Sequence, residues 1–177
     1  MKCAYSGIPI SDPADGVWDD GEWISWGYIH SLIEDYDEEE NKPLNECSYE
    51  ELLWLARDYD PEFDGHFPIY GEVGELYVES RFGMVRHAPY TQGSDGKIGN
   101  HFVEVKTISP LRDSRHVRVK RSGNFSVLAI VKIDADFRID AKLIKRSSLP
   151  KGDGKRMTVS WDDYGSDHVS ILEAGVI

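Results

Sequence analysis

Residues Asp95 to Lys106 read D-G-K-I-G-N-H-F-V-E-V-K, and the fold of the surrounding chain follows from how this stretch pairs with itself. From His101 to Ile108 apolar and polar residues alternate, with β-branched and aromatic side chains frequent, which predicts a strand. Gly99-Asn100 is a dipeptide of the kind that closes two-residue hairpins. With those two residues as the turn, Ile98 faces His101, Lys97 faces Phe102, Gly96 faces Val103 and Asp95 faces Glu104. Directly opposed residues have β-carbons about 4.5 to 5.5 Å apart, and like charges there are destabilising. A divalent cation, Mg²⁺ or Mn²⁺, is the natural compensation, because such ions take oxygen ligands from one or two carboxylates plus waters and phosphate oxygens. Lys106 lies two residues beyond Glu104 and shares its face of the strand. Two acids and an ammonium on one sheet face suit phosphodiester hydrolysis. A Glu-x-Lys pair on a wet strand is also common, so both readings stand at this point.

Outward from this hairpin the signals continue. In Gly71 to Gly83, G-E-V-G-E-L-Y-V-E-S-R-F-G, Val73, Leu76, Tyr77 and Ser80 are spaced as one face of a helix, with Gly83 as the stop. Glu72, Glu75 and Glu79 share another face. Phe82 to Thr91 carries strand-like residues interrupted by Pro89. On the other side, Leu111 to Arg121 holds Arg112, Arg115, Arg118, Lys120 and Arg121, a basic patch able to track a phosphate backbone, or else a solvated strand or loop. Phe125 to Asp134, F-S-V-L-A-I-V-K-I-D, has the length and apolar character of a buried central strand. Arg138 to Ile144 alternates as a neighbouring strand, Lys151 to Lys155 reads as a flexible loop, and Met157 to Trp161 predicts a further strand. Asp167 to Ile177 shows no pattern.

The order helix with Glu75, strand, Asp95, turn, Glu104-Val105-Lys106 resembles the core of the PD-(D/E)XK, or restriction-endonuclease-like, nuclease superfamily. The resemblance covers about Gly71 to Pro150 and departs from the family pattern in having Gly93-Ser94, not Pro, before Asp95. It implies an α-β-β-β-α-β core with a central mixed sheet flanked by helices. It implies metal-dependent hydrolysis of nucleic acid, DNA favoured. Asp95, Glu104 and the Val105 carbonyl would hold Mg²⁺ or Mn²⁺, Lys106 would assist the attacking water, and Glu75 would be the acid of the first helix.

The 177 residues suit one domain with a smaller attached piece. The net charge of −12 is unevenly spread. Residues 1–70 hold 3 Lys/Arg against 18 Asp/Glu, whereas 71–177 hold 17 against 14. This places a boundary near Pro68 to Gly71 and leaves an anionic substrate open to the second part. The first part, 1–70, reads as an acidic, mainly helical extension, and 71–177 as the α/β nuclease-like domain. Trp23, Trp26, His30 and Ile33 are helically spaced, predicting a helix from about Asp20 to Tyr36. Glu34 to Glu40 then reads as a solvated loop, or as an acidic mimic of a phosphate backbone. Ser48-Tyr49-Glu50-Glu51 fits a capping box before a helix from Tyr49 to Asp58, with Leu52, Leu55, Ala56 and Tyr59 inward.

Cys3 and Cys47 are too few for a disulfide framework and lack a C-x-x-C. No histidine pair has metal-ligand spacing, and no phosphate-loop, dinucleotide or serine-hydrolase motif occurs. No apolar run is long enough to span a membrane and the N-terminus lacks a signal-peptide core, so the expected location is the cytoplasm. The alternative to an enzyme is a catalytically silent nuclease fold kept as a binding or regulatory subunit, with the acidic segment 34–64 docking on a basic protein partner. Homo-oligomerisation is left open.

Overall fold

The computed structural model describes residues 1–19, 22–33, 43–59, 69–88, 93–110, 112–167 and 171–172. The chain divides into two compact units, Met1–Val73 and Gly74–Ile177.

In the first unit, β1 (Gly16–Asp19) and β2 (Glu22–Ser25) form an antiparallel pair, with Trp18 opposite Trp23 and their rings edge to face at 5.5 Å. Helix α1 is only Trp26–Ser31, capped by the Ser25 hydroxyl, which accepts from the Tyr28 amide at 3.1 Å. The helix predicted from Asp20 to Tyr36 is therefore corrected: its first part is strand, because Trp23 gains a cross-strand aromatic partner and Ser25 begins the helix only afterwards. Helix α2 (Tyr49–Tyr59) starts where the capping box places it. The Glu51 amide donates to Ser48 Oγ (3.3 Å) and the Ser48 amide to Glu51 Oε2 (2.6 Å). Leu52 and Ala56 are buried and Leu55 is half-buried. Cys3 and Cys47 are buried thiols that form no disulfide with each other. The acidic run 34–40 and residues 60–68 lie outside the described residues.

Helix α3 (Tyr70–Phe82) leads into the second unit, an α/β arrangement on a mixed five-stranded sheet. The sheet comprises β3 (Val85–Arg86), β4 (Gly96–Ile98), β5 (His101–Ile108), β7 (Val127–Ile133) and β8 (Ile139–Lys145), in the order β3-β4-β5-β7-β8. All neighbours are antiparallel except the central β5 and β7, which run parallel. Gly96↔Val103, Lys97↔Phe102 and Ile98↔His101 pair in the register read from the sequence. Gly99 takes φ +55°, while Asn100 does not enter the left-handed region. This is the glycine-first form of a two-residue hairpin turn.

Side chains alternate across this sheet, so each strand feeds two cores. On one face, Val103 and Val105 of β5 and Val127, Ala129 and Val131 of β7 join Val78 of α3. The helix comes close to β5 at Gly74, where an added β-carbon would lie 2.0 Å from Thr107 Oγ1 and 3.2 Å from Thr107 Cβ. The buried positions of α3 are Tyr70, Val73, Gly74 and Val78. Of the predicted stripe, Val73 is buried and Tyr77 is half-buried against the same core as Val78, whereas Ser80 is corrected to an exposed position and Leu76 is half-buried.

On the other face Leu128 and Ile130 meet a separate two-stranded ribbon of β6 (His116–Lys120) and β9 (Arg156–Ser160), whose Val117, Val119, Met157 and Val159 point inward. The resemblance implies a sheet flanked by helices, whereas among the described residues this face is covered by the ribbon. The crossover from β5 to β7 carries strand β6 where the family resemblance implies a helix, because His116 to Lys120 alternates with period two and forms an amphipathic strand. Among the described residues no helix is long and apolar enough to cross a membrane.

Candidate active site at the edge of β5

The pairing of β4 with β5 ends at Gly96↔Val103, so beyond that point β5 loses its β4 partner. The backbone of Asp95 is pinned on both sides: its amide donates to Val103 O (2.8 Å) and its carbonyl accepts from the His87 amide (2.9 Å). The carboxylate then turns along the edge of β5, and Oδ2 accepts from the Val105 amide at 2.6 Å. The face-to-face pairing predicted for Asp95 and Glu104 thus stops one residue short. Asp95 takes the place of a strand partner for β5 and satisfies an amide that would otherwise be orphaned.

Lys106 Nζ lies 2.8 Å from Glu104 Oε1 and donates to the Val105 carbonyl at 2.9 Å. The side chains of Glu104 and Lys106 are 15% and 34% exposed. Glu75 reaches the same edge from α3, where its Oε2 pairs with Arg86 Nη2 at 3.1 Å. Arg86 was not singled out from the sequence. It stands opposite Gly96, one residue from Asp95, and that placement depends on a β3 register that no local pattern discloses.

The protonation states follow from this crowding. Burial, with the neighbouring Glu104 charge, raises the Asp95 pKa above the ordinary carboxylate value against the opposing pull of Lys106 and the Val105 amide. For Lys106, burial disfavours the ammonium, but Asp95, Glu104 and Glu75 outweigh it and hold the pKa above the usual lysine value. Lys106 is therefore a cation at neutral pH. In that form it can orient a water and stabilise developing negative charge.

Among the described residues no group of three or more His, Cys, Asp or Glu side chains is arranged to hold a metal ion. Glu75, tied to Arg86, does not complete a three-acid cluster with Asp95 and Glu104. The donors the resemblance implies are nevertheless together: the carboxylates of Asp95 and Glu104 and the carbonyl of Val105. Two of these oxygens already share one positive charge, the Lys106 ammonium. Oxygen-only donors with two carboxylates fit a hard divalent cation that keeps part of its water shell.

The five cations of 111–121 do not act as one patch. Arg118 and Lys120 are exposed on the outer face of β6, and Lys120 stands directly opposite Arg156 of β9, with Arg118 opposite Thr158. Among the described residues Arg118, Lys120 and Arg156 have no ion-pair partner. Arg156 was missed from the sequence because the ribbon pairing that brings it to Lys120 is non-local. Arg115 pairs with Asp162 at 2.9 Å on the surface, and Arg112 is exposed. Arg121 is half-buried, and its guanidinium donates to Pro150 O. Comparison of the sequence with protein-family models and with curated proteins finds no match.

Proposed function

We propose that the unit Gly74–Ile177 is a restriction-endonuclease-like domain that hydrolyses nucleic-acid phosphodiesters, DNA favoured, with Mg²⁺ or Mn²⁺, and that the acidic first unit is an appended extension. The observation that supports this most is the edge of β5, where Asp95, Glu104, Lys106 and the Val105 carbonyl converge at the point where β4 pairing ends.

Asp95, Glu104 and Val105 O would hold the cation, which supplies charge stabilisation at the phosphate and lowers the pKa of a bound water. Lys106, a fixed cation, places a water and offsets charge developing on the phosphate oxygens. The Glu75–Arg86 pair holds Arg86 beside Asp95 and adds a further positive group at the edge. The outer face of the β6–β9 ribbon, with Arg118, Lys120 and Arg156, tracks backbone phosphates.

A second reading has its own observation. Lys106 already neutralises Glu104, and Arg86 neutralises Glu75, so the site is internally paired without a metal. Together with the strand in place of the family's second helix, this fits a silent nuclease fold acting as a binding or regulatory subunit, docking through segment 34–64. Melting with and without Mn²⁺ separates the two. The enzyme reading predicts stabilisation of about 2.7 kcal/mol at a hundredfold excess over Kd, lost in Asp95→Asn. No shift in either protein supports the binding subunit.

A further inference from the structure

The carboxyl ends of the two parallel strands, β5 and β7, open onto a cavity of about 320 Å³ lined by Ile108, Ser109, Pro110, Arg112, Asp113, Arg115, Lys132, Ile133, Asp134 and Ala135. In open α/β sheets this is where ligands are bound. We propose that the cavity is a phosphate-binding subsite, separate from the edge at Asp95, that holds a phosphate group of the nucleic-acid substrate. The proposal rests on the nuclease reading for its substrate.

Three observations carry it. Ser109 is 4% exposed, and its hydroxyl is buried with no hydrogen-bond partner. Such a group is costly unless something bonds it. Lys132, directly beside Ile108 in the parallel ladder, forms no ion pair among the described residues, and its ammonium lies 5.6 Å from the Trp161 ring. Arg112 and Arg115, the latter shared with Asp162 at 2.9 Å, add two guanidinium groups with the fork geometry that suits phosphate oxygens. Of the two acids in the lining, Asp134 accepts from the Asp136 and Arg138 amides at 2.9 and 3.0 Å through Oδ1, and Asp113 is exposed. Three cations against these two carboxylates leave the lining net positive, and with the Ser109 hydroxyl over an apolar floor of Ile108, Pro110 and Ile133 it suits a compact anion. At a strand rise of about 3.3 Å per residue, Ser109 lies roughly 10 Å beyond Lys106, so a chain cut at the edge of β5 has a second phosphate within reach of the cavity.

The phosphate is either a terminal monoester or an internal diester, and one experiment distinguishes them. Binding of fluorescent single-stranded DNA hexamers, with a 5′-phosphate, a 3′-phosphate or neither, is measured on the full chain in EDTA, so that nothing is cut. A terminal-phosphate subsite predicts about tenfold tighter binding of one phosphorylated form, lost in Ser109→Ala and Lys132→Gln. An internal-diester subsite predicts that both variants weaken all three hexamers about tenfold. Asp95→Asn retains the preference in either case.

Wild-type affinity for every hexamer in both variants overturns the proposal. If wild type binds no hexamer, the nucleic-acid reading fails, and inorganic phosphate decides the cavity: a phosphate-dependent rise in melting temperature that disappears in the variants upholds it, and no rise ends it. Ser109→Ala without ligand should melt no lower than wild type, because it removes an unpartnered buried hydroxyl. Lost affinity is then not lost folding.

Discussion

Replacing Gly74 by alanine tests the contact that seats α3, and with it Glu75, on the sheet. In an exposed helix interior Gly→Ala is worth about 1 kcal/mol in favour of the variant. Here the new β-carbon would lie 2.0 Å from Thr107 Oγ1 and 3.2 Å from Thr107 Cβ. Rotation of Thr107 relieves the first contact but not the second, and β-branched side chains on strands are stiff. Overpacking of this kind costs about 1 to 3 kcal/mol, so the net expectation is a loss of up to about 2 kcal/mol.

Thr107→Ala removes the hydroxyl, which is buried and unpartnered, and opens the space. In that background Gly74→Ala should be neutral or stabilising, giving a coupling of about 2 kcal/mol in a double-mutant cycle. Urea unfolding followed by far-UV circular dichroism measures the four proteins, with amide exchange of β5 as the local reading. A Gly74→Ala protein about 1 kcal/mol more stable than wild type, or one whose change in stability is the same with and without the Thr107 hydroxyl, would refute the close approach of helix and strand.

Other expectations concern the site and the caps. Lys106→Met leaves Asp95 and Glu104 without their ammonium and should lower stability by about 1 to 3 kcal/mol, less than for a fully buried pair because the lysine is 34% exposed. The same variant should bind Mn²⁺ more tightly by calorimetry, since Nζ no longer competes for Glu104 Oε1 and Val105 O. The folded-state pKa of Lys106 is raised, so its contribution is fully present below the unfolded value near 10.4 and is lost as pH rises through the folded value. Denaturation between pH 9 and 12 should show that loss in wild type and not in Lys106→Met. Ser48→Ala should cost α2 about 1 kcal/mol by chemical denaturation. Each of Arg118→Ala, Lys120→Ala and Arg156→Ala should weaken DNA binding independently of sequence and reduce the salt slope by about 1, measured by anisotropy against salt concentration.

What the sequence disclosed was local. Gly99-Asn100 and the alternation after it give the hairpin register, because a two-residue turn leaves one pairing. Ser48 and Glu51 give the start of α2, and the apolar run at 127–133 gives the central strand. The failures have physical causes. Trp23, Trp26, His30 and Ile33 fit a helical period by coincidence, while Asp20-Gly21, a hairpin dipeptide, separates two runs that pair as strands. Gly74 carries no apolar weight in a periodicity count, yet there α3 comes so near β5 that a β-carbon would meet Thr107. The strand β6 falls within the stretch read as a basic patch or a solvated strand or loop, where the density of cations masks the period-two alternation of His116 to Lys120. At the site, Asp95, Glu104 and Lys106 were legible because the hairpin brings them together. Arg86 and Arg156 were not, since each enters through pairing distant in sequence.

The most direct test is cleavage of end-labelled single- and double-stranded DNA, with RNA alongside, by wild type, Asp95→Asn and Lys106→Ala in Mn²⁺ and in EDTA. The account predicts Mn²⁺-dependent cutting by wild type that falls at least a hundredfold in both variants, consistent with about 2.7 kcal/mol or more of lost transition-state stabilisation. Intact nucleic acid with wild type, or cutting that Lys106→Ala leaves unchanged, would contradict it.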